Sequence, residues 1–209
     1  MLLTRALVDH ARTPSPWTLG NQVLYDLCKE HPRHHEVSEV IAKVWLIGRS
    51  YAAAIERRRE TTEANDDFYI EKVAPIIIRS DIDAWIEAAA AYETMNEASA
   101  DAVLSTHSKV TQLFSAISGL EKRSLASKYL HFHLPNLFYI YDTRAVEAMR
   151  KLSSLVGRAT KGAGANDNEY RKLAGKCMRL KAHIKERFQV SLTPREIDEL
   201  LLKVHAEET

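Results

Sequence analysis

Two side chains in the stretch "KRSLASKYLHFHLPNLFYIYDTRAVEAM", residues 122–149, are of types that do chemistry: a carboxylate, Asp142, and an amine, Lys128. Asp142 is the only aspartate of the stretch and directly follows Phe138-Tyr139-Ile140-Tyr141. A lone carboxylate beside an apolar, tyrosine-rich run can stabilise developing positive charge, or activate a water. The same residue, placed just before a helical pattern, is equally a natural N-cap that accepts a backbone N–H. Lys128 is either a solvated helix lysine or, when buried, an amine whose pKa falls and whose lone pair becomes available.

The elements that must position these groups read as helices. "EKRSLASKYLHFH" puts Leu125, Tyr129 and Phe132 on one face, and Pro135 ends it. "NLFYIY" is a short extended or turning piece, and "TRAVEAMRKL" restarts a helical stripe with Val146 and Met149. Upstream, "HEVSEVIAKVWLIGRSYAAAIERRR" aligns Val37, Val40, Ile41, Val44, Trp45 and Ile55, with an arginine cluster at the exposed end of a long helix. "DIDAWIEAAAAYETM" and "DAVLSTHSKVTQLFSAIS" follow the same period, the latter stopping at Gly119. The last helix opens on Thr193 as N-cap, Pro194 as first helical residue and Glu196 as capping-box partner. No clean alternation is longer than "LFYIY", so the fold class is all-α, with about nine helices. "RTPSPW" (12–17) is a proline-punctuated lead-in. "GRATKGAGANDN" (157–168) is a glycine-rich surface loop that follows a helix and lacks the phosphate-loop pattern.

A length of 209 residues suits one domain, 1–209, and the 45% hydrophobic and 27% charged content is that of a globular protein. No apolar run is long enough for a membrane span, and the early Asp9 makes the N-terminus a poor signal peptide. Cys28 and Cys177 are far apart and read as reduced thiols, which points to a cytoplasmic chain, nucleoid-associated in a prokaryote. The net charge of +1 hides an asymmetry. Residues 121–190 hold 15 Lys and Arg against 6 Asp and Glu, whereas the remainder holds 14 against 22. Clustered cations gain affinity for a polyanion by releasing its counterions, although solvated helix faces account for such runs too.

The stretch around Asp142 resembles the helix-hairpin-helix DNA glycosylases, and within them the adenine-glycosylase branch. "RSLASKYL" matches their R-x-x-A-x-x-x-L segment through Arg123, Ala126 and Leu130. "LFYIYDTRAVEAM" matches the apolar run that ends in the catalytic aspartate, with Ala126 and Asp142 sixteen positions apart as in that family. The likeness spans residues 119–149, followed by C-terminal helices over 168–209. It implies a compact helical domain of two lobes with a cleft between them, Asp142 as the catalytic carboxylate and Lys128 as its helper. Excision of a damaged, mismatched or modified base from DNA would then leave an abasic site. Where the family has its hairpin glycines this chain reads Gly119-Leu120-Glu121-Lys122. DNA contacts are therefore expected from Lys122, Arg123, Ser124, Arg144, Arg150 and Lys151. A flipped base needs an aromatic pocket, for which Tyr139, Tyr141, Trp45 and Tyr51 are the candidates. Ser124 stands where strand-cleaving relatives keep a lysine, which implies a monofunctional enzyme. The cysteine count leaves out the iron–sulfur cluster of some members, and the resemblance implies no cofactor, a monomer and DNA as partner.

Two histidine-rich spots, "HFH" (131–133) and "HPRHH" (31–35), raise a metal reading. On a helix, positions i and i+2 face apart, so His131 and His133 would not chelate together, and no metal is expected. Two function classes stay open: a DNA glycosylase, and a non-catalytic helical nucleic-acid-binding or regulatory module in which Asp142 is only a cap. A nuclease is a third, for which residues 121–190 are poor in the acids that a metal would need.

Overall fold

The computed structural model describes residues 3–57, 65–157 and 167–207. Most of the glycine-rich loop expected at 157–168 lies outside the described residues, as do Arg58 and Arg59 of the arginine cluster. The described residues form helices and no strand: α1 (Arg5–His10), α2 (Thr18–Glu30), α3 (Val37–Ser50), α4 (Asn65–Asp67), α5 (Ala74–Ile78), α6 (Ile82–Ala90), α7 (Ala100–Ser118), α8 (Arg123–His133), α9 (Thr143–Lys151), α10 (Ser153–Val156), α11 (Asn168–Phe188) and α12 (Pro194–Ala206). A π-helical stretch, Phe68–Val73, joins α4 to α5 without a break. Taking that run as one helix, there are eleven, against the nine expected. Short helices such as α1 and α10 have too few turns to display a period. None of the described helices is long and apolar enough to cross a membrane.

The local signals act where their chemistry requires. Gly119 closes α7 in the left-handed conformation, φ 73°, with its N–H on the Ser115 carbonyl. At the head of α12, Thr193 Oγ1 accepts from the Glu196 N–H at 3.2 Å, and Glu196 Oε2 accepts from the Thr193 N–H at 2.7 Å. The arginine-tipped long helix is a correction: α3 stops at Ser50, and Ala52 takes φ 50°. The chain there folds back across Gly48, where an added Cβ would meet Ala54 Cα at 3.0 Å. The face of α3 that is buried is Val40, Lys43, Val44, Ile47 and Gly48, while Val37 and Trp45 stay over 40% exposed.

Helix α8 lies at the centre, against α2, α3 and α7, and every residue from Leu125 to Phe132 is buried. The expected stripe of Leu125, Tyr129 and Phe132 is thus only part of it; Lys128 at its edge, and Ser127 and His131 on the other sides, are also covered. Their polar atoms are paired in series. His131 donates through Nδ1 to the Phe138 carbonyl at 2.8 Å and accepts at Nε2 from the Tyr25 hydroxyl at 2.7 Å. The Tyr129 hydroxyl donates to His34 Nε2 at 2.6 Å, and His34 Nδ1 donates to Asp83 at 2.6 Å. His107 stacks flat on Tyr170, ring centroids 3.5 Å apart.

Burial pushes the His34 imidazole down to about 4, and those of His107, His131 and His133 to about 3. In the unfolded chain these groups take up protons below about 6.5, whereas the folded chain does not until pH 3–4, so their contribution to stability is complete above 6.5 and is lost as pH falls. Asp198, whose burial lifts it to about 7, works the other way between pH 4 and 7. Four imidazoles outweigh one carboxyl. The urea midpoint of unfolding should therefore drop clearly from pH 7 to pH 5; a midpoint that stays level or rises would mean that the imidazoles are not held neutral.

Candidate active site

Asp142 opens α9 from an extended backbone, φ −150° and ψ 174°. Three bonds fix the run that leads to it. The Phe138 carbonyl accepts from His131, the Tyr139 carbonyl from the Tyr170 hydroxyl at 3.0 Å, and the Tyr141 N–H donates to Ser127 Oγ at 2.9 Å. With its backbone so held, the Asp142 carboxylate divides its two oxygens. Oδ1 accepts from the Ala145 N–H at 2.9 Å, which is the expected cap. Oδ2 makes no hydrogen bond; its neighbours are Arg144 Nη2 at 3.5 Å and Lys128 Nζ at 3.9 Å. The side chain keeps 17% of its surface exposed.

Lys128 lies behind Asp142, its side chain 2% exposed. Its ammonium donates to Ser124 Oγ at 2.7 Å and to the Tyr141 carbonyl at 3.3 Å. The amine thus folds back one turn of α8 to meet the serine at which the resemblance expects a lysine. Burial lowers its pKa, opposed by the charge of Asp142. The Tyr51 ring faces the ammonium at 6.0 Å and the Arg195 guanidinium at 5.5 Å; its hydroxyl donates to Asn21 at 2.6 Å.

Arg195 and Asp198 of α12 complete the cluster. They pair at 3.0 Å, Arg195 donates to the Tyr25 hydroxyl at 3.1 Å, and it lies over the Phe132 ring at 5.6 Å. Asp198 feels the charges of Arg195, Asp142 and Lys128, yet burial outweighs the cations and raises its carboxyl. One atom of each is buried without a partner, Asp198 Oδ1 and Arg195 Nη2. Neither residue stands out in the sequence. The available signal was their spacing of three, which makes them neighbours on the surface of α12.

The structure brings together Asp142, Lys128, Ser124, Tyr51 and Arg144. Tyr141 is beside them, its ring under the Arg123 guanidinium at 5.2 Å. Tyr139 is part of the core, 2% exposed, and its phenol lies within electrostatic reach of Cys177. Trp45 projects outward from α3. Three of the expected DNA contacts have partners within the fold. Lys122 turns inward to the carbonyls of Ala54 at 3.3 Å and Arg57 at 2.9 Å, Arg123 pairs with Asp167 and Glu121, and Lys151 reaches the carbonyls of Val204 and His205 at the end of α12. Arg144 and Arg150 remain exposed. His131 and His133 do face apart, the latter stacked on His34. Among the described residues no three His, Cys, Asp or Glu are grouped to hold a metal. Comparison with protein-family profiles, with curated proteins and with solved structures finds no match to this chain.

A buried ammonium 3.9 Å from a half-capped carboxylate is poor value as a structural ion pair. Its desolvation cost is large, and removing it leaves neither acid alone, since Asp142 keeps Arg144 and some contact with solvent and Asp198 keeps Arg195. Lys128→Met should leave the melting temperature unchanged or raise it. A fall of more than about 5 °C would show that the ammonium serves the fold.

Proposed function

We propose that the chain is a monofunctional DNA glycosylase, in which Asp142 stabilises the cationic sugar or orients the attacking water as the N-glycosidic bond breaks. One observation carries this reading: Asp142 Oδ2 accepts no hydrogen bond and has only Arg144 at 3.5 Å and Lys128 at 3.9 Å as ion-pair neighbours, and the side chain stays partly exposed while the Oδ1 cap holds the carboxylate still. Fixed charge aimed at a site of developing opposite charge is the largest single source of catalysis in many enzymes. The connectivity supports the same reading. Helices α7 and α8 meet through a turn of four residues, Gly119 to Lys122, and an extended run then delivers Asp142 to the head of α9. Helices α2–α8 pack mainly among themselves, and α9–α12 with α1 do likewise. Asp142 thus stands where the chain passes from one group to the other, as a two-lobed glycosylase with its site between the lobes would require.

In this mechanism Lys128 supplies positive charge behind the carboxylate and near the departing base, and Ser124 and the Tyr141 carbonyl hold its amine. Tyr51 and Tyr141 are the aromatic surfaces available to an extruded base. DNA is the partner, and the chemistry calls for no cofactor. The Ala145 cap bond favours a second reading, a non-catalytic nucleic-acid-binding module, since the cap alone accounts for an aspartate at this position.

The Asn variant separates the two, because asparagine caps as well as aspartate. Wild-type protein should convert at least one DNA of a panel of modified and mismatched bases to alkali-labile product. Asp142→Asn should lose about a hundredfold in that rate or more, with its thermal unfolding unchanged. Equal rates in the two proteins, or no product across the panel, would favour the non-catalytic module.

The amine gives a second test. Lys128 is almost fully covered and doubly hydrogen-bonded, and attack on the sugar C1′ tolerates little misplacement. Borohydride added during turnover should trap no covalent protein–DNA adduct. An adduct that disappears in Lys128→Ala would make the enzyme a lyase as well.

A further inference from the structure

With Lys122, Arg123 and Lys151 engaged inside the fold, positive charge for a phosphate must come from elsewhere in the basic segment. Helix α11 is the richest source, with seven Lys and Arg against two glutamates. Several of the seven are occupied: Arg171 pairs with Asp101 at 3.8 Å, Arg179 donates to the Val156 carbonyl, and Arg187 lies over Phe188. Lys172 and Lys176, one turn apart, face Arg150 of α9 across a cleft of about 180 Å³. Val146, Met149 and Leu173 form its floor. Glu169 is its one acid, and it already pairs with Lys172 at 2.5 Å. Arg150 and Lys176 have no hydrogen-bond or ion-pair partner among the described residues.

Like charges held together on an apolar floor repel one another, and nothing in the cleft offsets Arg150 and Lys176. Two other clefts have the opposite balance. One of about 430 Å³ beside Arg123 carries Glu121, Asp167 and Glu169, and one of about 300 Å³ beside Arg33 carries Asp83 and Glu87. Position adds to the argument. Arg150 is eight residues along α9 from Asp142, an axial rise of about 12 Å, a span that a few nucleotides of backbone cover.

We infer that the α9–α11 cleft seats a backbone phosphate of bound DNA through Arg150 and Lys176, a few nucleotides from the one at Asp142. The contact takes over the anchoring that the inward-turned hairpin lysine does not provide. It fixes register along the backbone and carries no sequence information. The inference rests on reading Asp142 as acting on DNA.

The test is binding of a fluorescein-labelled 20-base-pair duplex, followed by anisotropy over a series of KCl concentrations. One phosphate contact contributes about 0.9 to the slope of log K against log salt. The double variant Arg150→Ala with Lys176→Ala should bind more weakly at each salt and lose about 0.9 of slope. The charge-retaining pair Arg150→Lys with Lys176→Arg should keep the wild-type slope, which excludes a mere packing defect. If the alanine pair keeps the full slope while wild type binds duplex and releases bases, the cleft is not a phosphate seat and the glycosylase reading stands. If the slope falls as expected but wild type releases no base from any substrate, the cleft stands as a nucleic-acid contact and the glycosylase reading fails. No salt-dependent binding by wild type would overturn both.

Discussion

Helix α8 is buried on all sides while carrying a lysine and two histidines, and the rest of the molecule is arranged around that constraint. An amphipathic helix can leave such groups in water; one at the centre must be given partners or neutralised. Three solutions are in use. Tyr25 and the Phe138 carbonyl fix one tautomer of His131, Ser124 and the Tyr141 carbonyl take the Lys128 ammonium, and His133 is held neutral against His34. Two of these partners, Phe138 and Tyr141, belong to the extended run before Asp142. The polar needs of α8 therefore set the path of that run, and that path sets where the carboxylate stands.

The same constraint explains the composition of the site's far wall. Lys128 alone would leave a charge with only a partly exposed carboxylate for company. Arg195 and Asp198 are the opposite charges added beside it, and Asp198 is the group that yields, its carboxyl lifted to about 7 by burial. Asp142, capped and partly hydrated, sits in a different environment from Asp198. Two carboxylates near one ammonium thus differ in burial and hydrogen bonding, the circumstance under which neighbouring acids come to play separate roles.

What the sequence revealed follows the range of the physics involved. Gly119, the Thr193-Pro194-Glu196 start and the Asp142 cap were legible because each acts on backbone within four residues of itself. The helical class was legible because the period repeats over many turns. The end of α3 was not: it depends on a fold-back over Gly48 and on Lys122, some 65 residues away, reaching the Arg57 carbonyl. Arg123 and Lys151 look like surface cations in sequence, and only tertiary structure delivers Asp167 to one and the end of α12 to the other. Lys128 lies three residues from Leu125 and four from Phe132, at the edge of the apolar stripe of α8, but a lysine there reads as reaching into solvent, so its burial was not foretold. The pairing of Arg195 and Asp198 was in plain view, but their nearness to a lysine about 70 residues upstream was not.

The two explanations offered for Asp142, capping and chemistry, prove compatible once its oxygens are considered separately. A carboxylate free at both oxygens would rotate about its χ angles and would have to be ordered at each encounter. With Oδ1 on the Ala145 N–H, that ordering is supplied by the helix itself. The N-terminus of α9 favours a negative charge at this place, and the Ser127 bond to the Tyr141 N–H prevents the residue before it from drifting. The same interaction that makes Asp142 structurally ordinary is what leaves Oδ2 fixed in direction, between Lys128 and Arg144 on a side chain that keeps some contact with solvent. An asparagine would reproduce the first property and lose the second, so the fold's demand and the proposed chemistry diverge at a single atom.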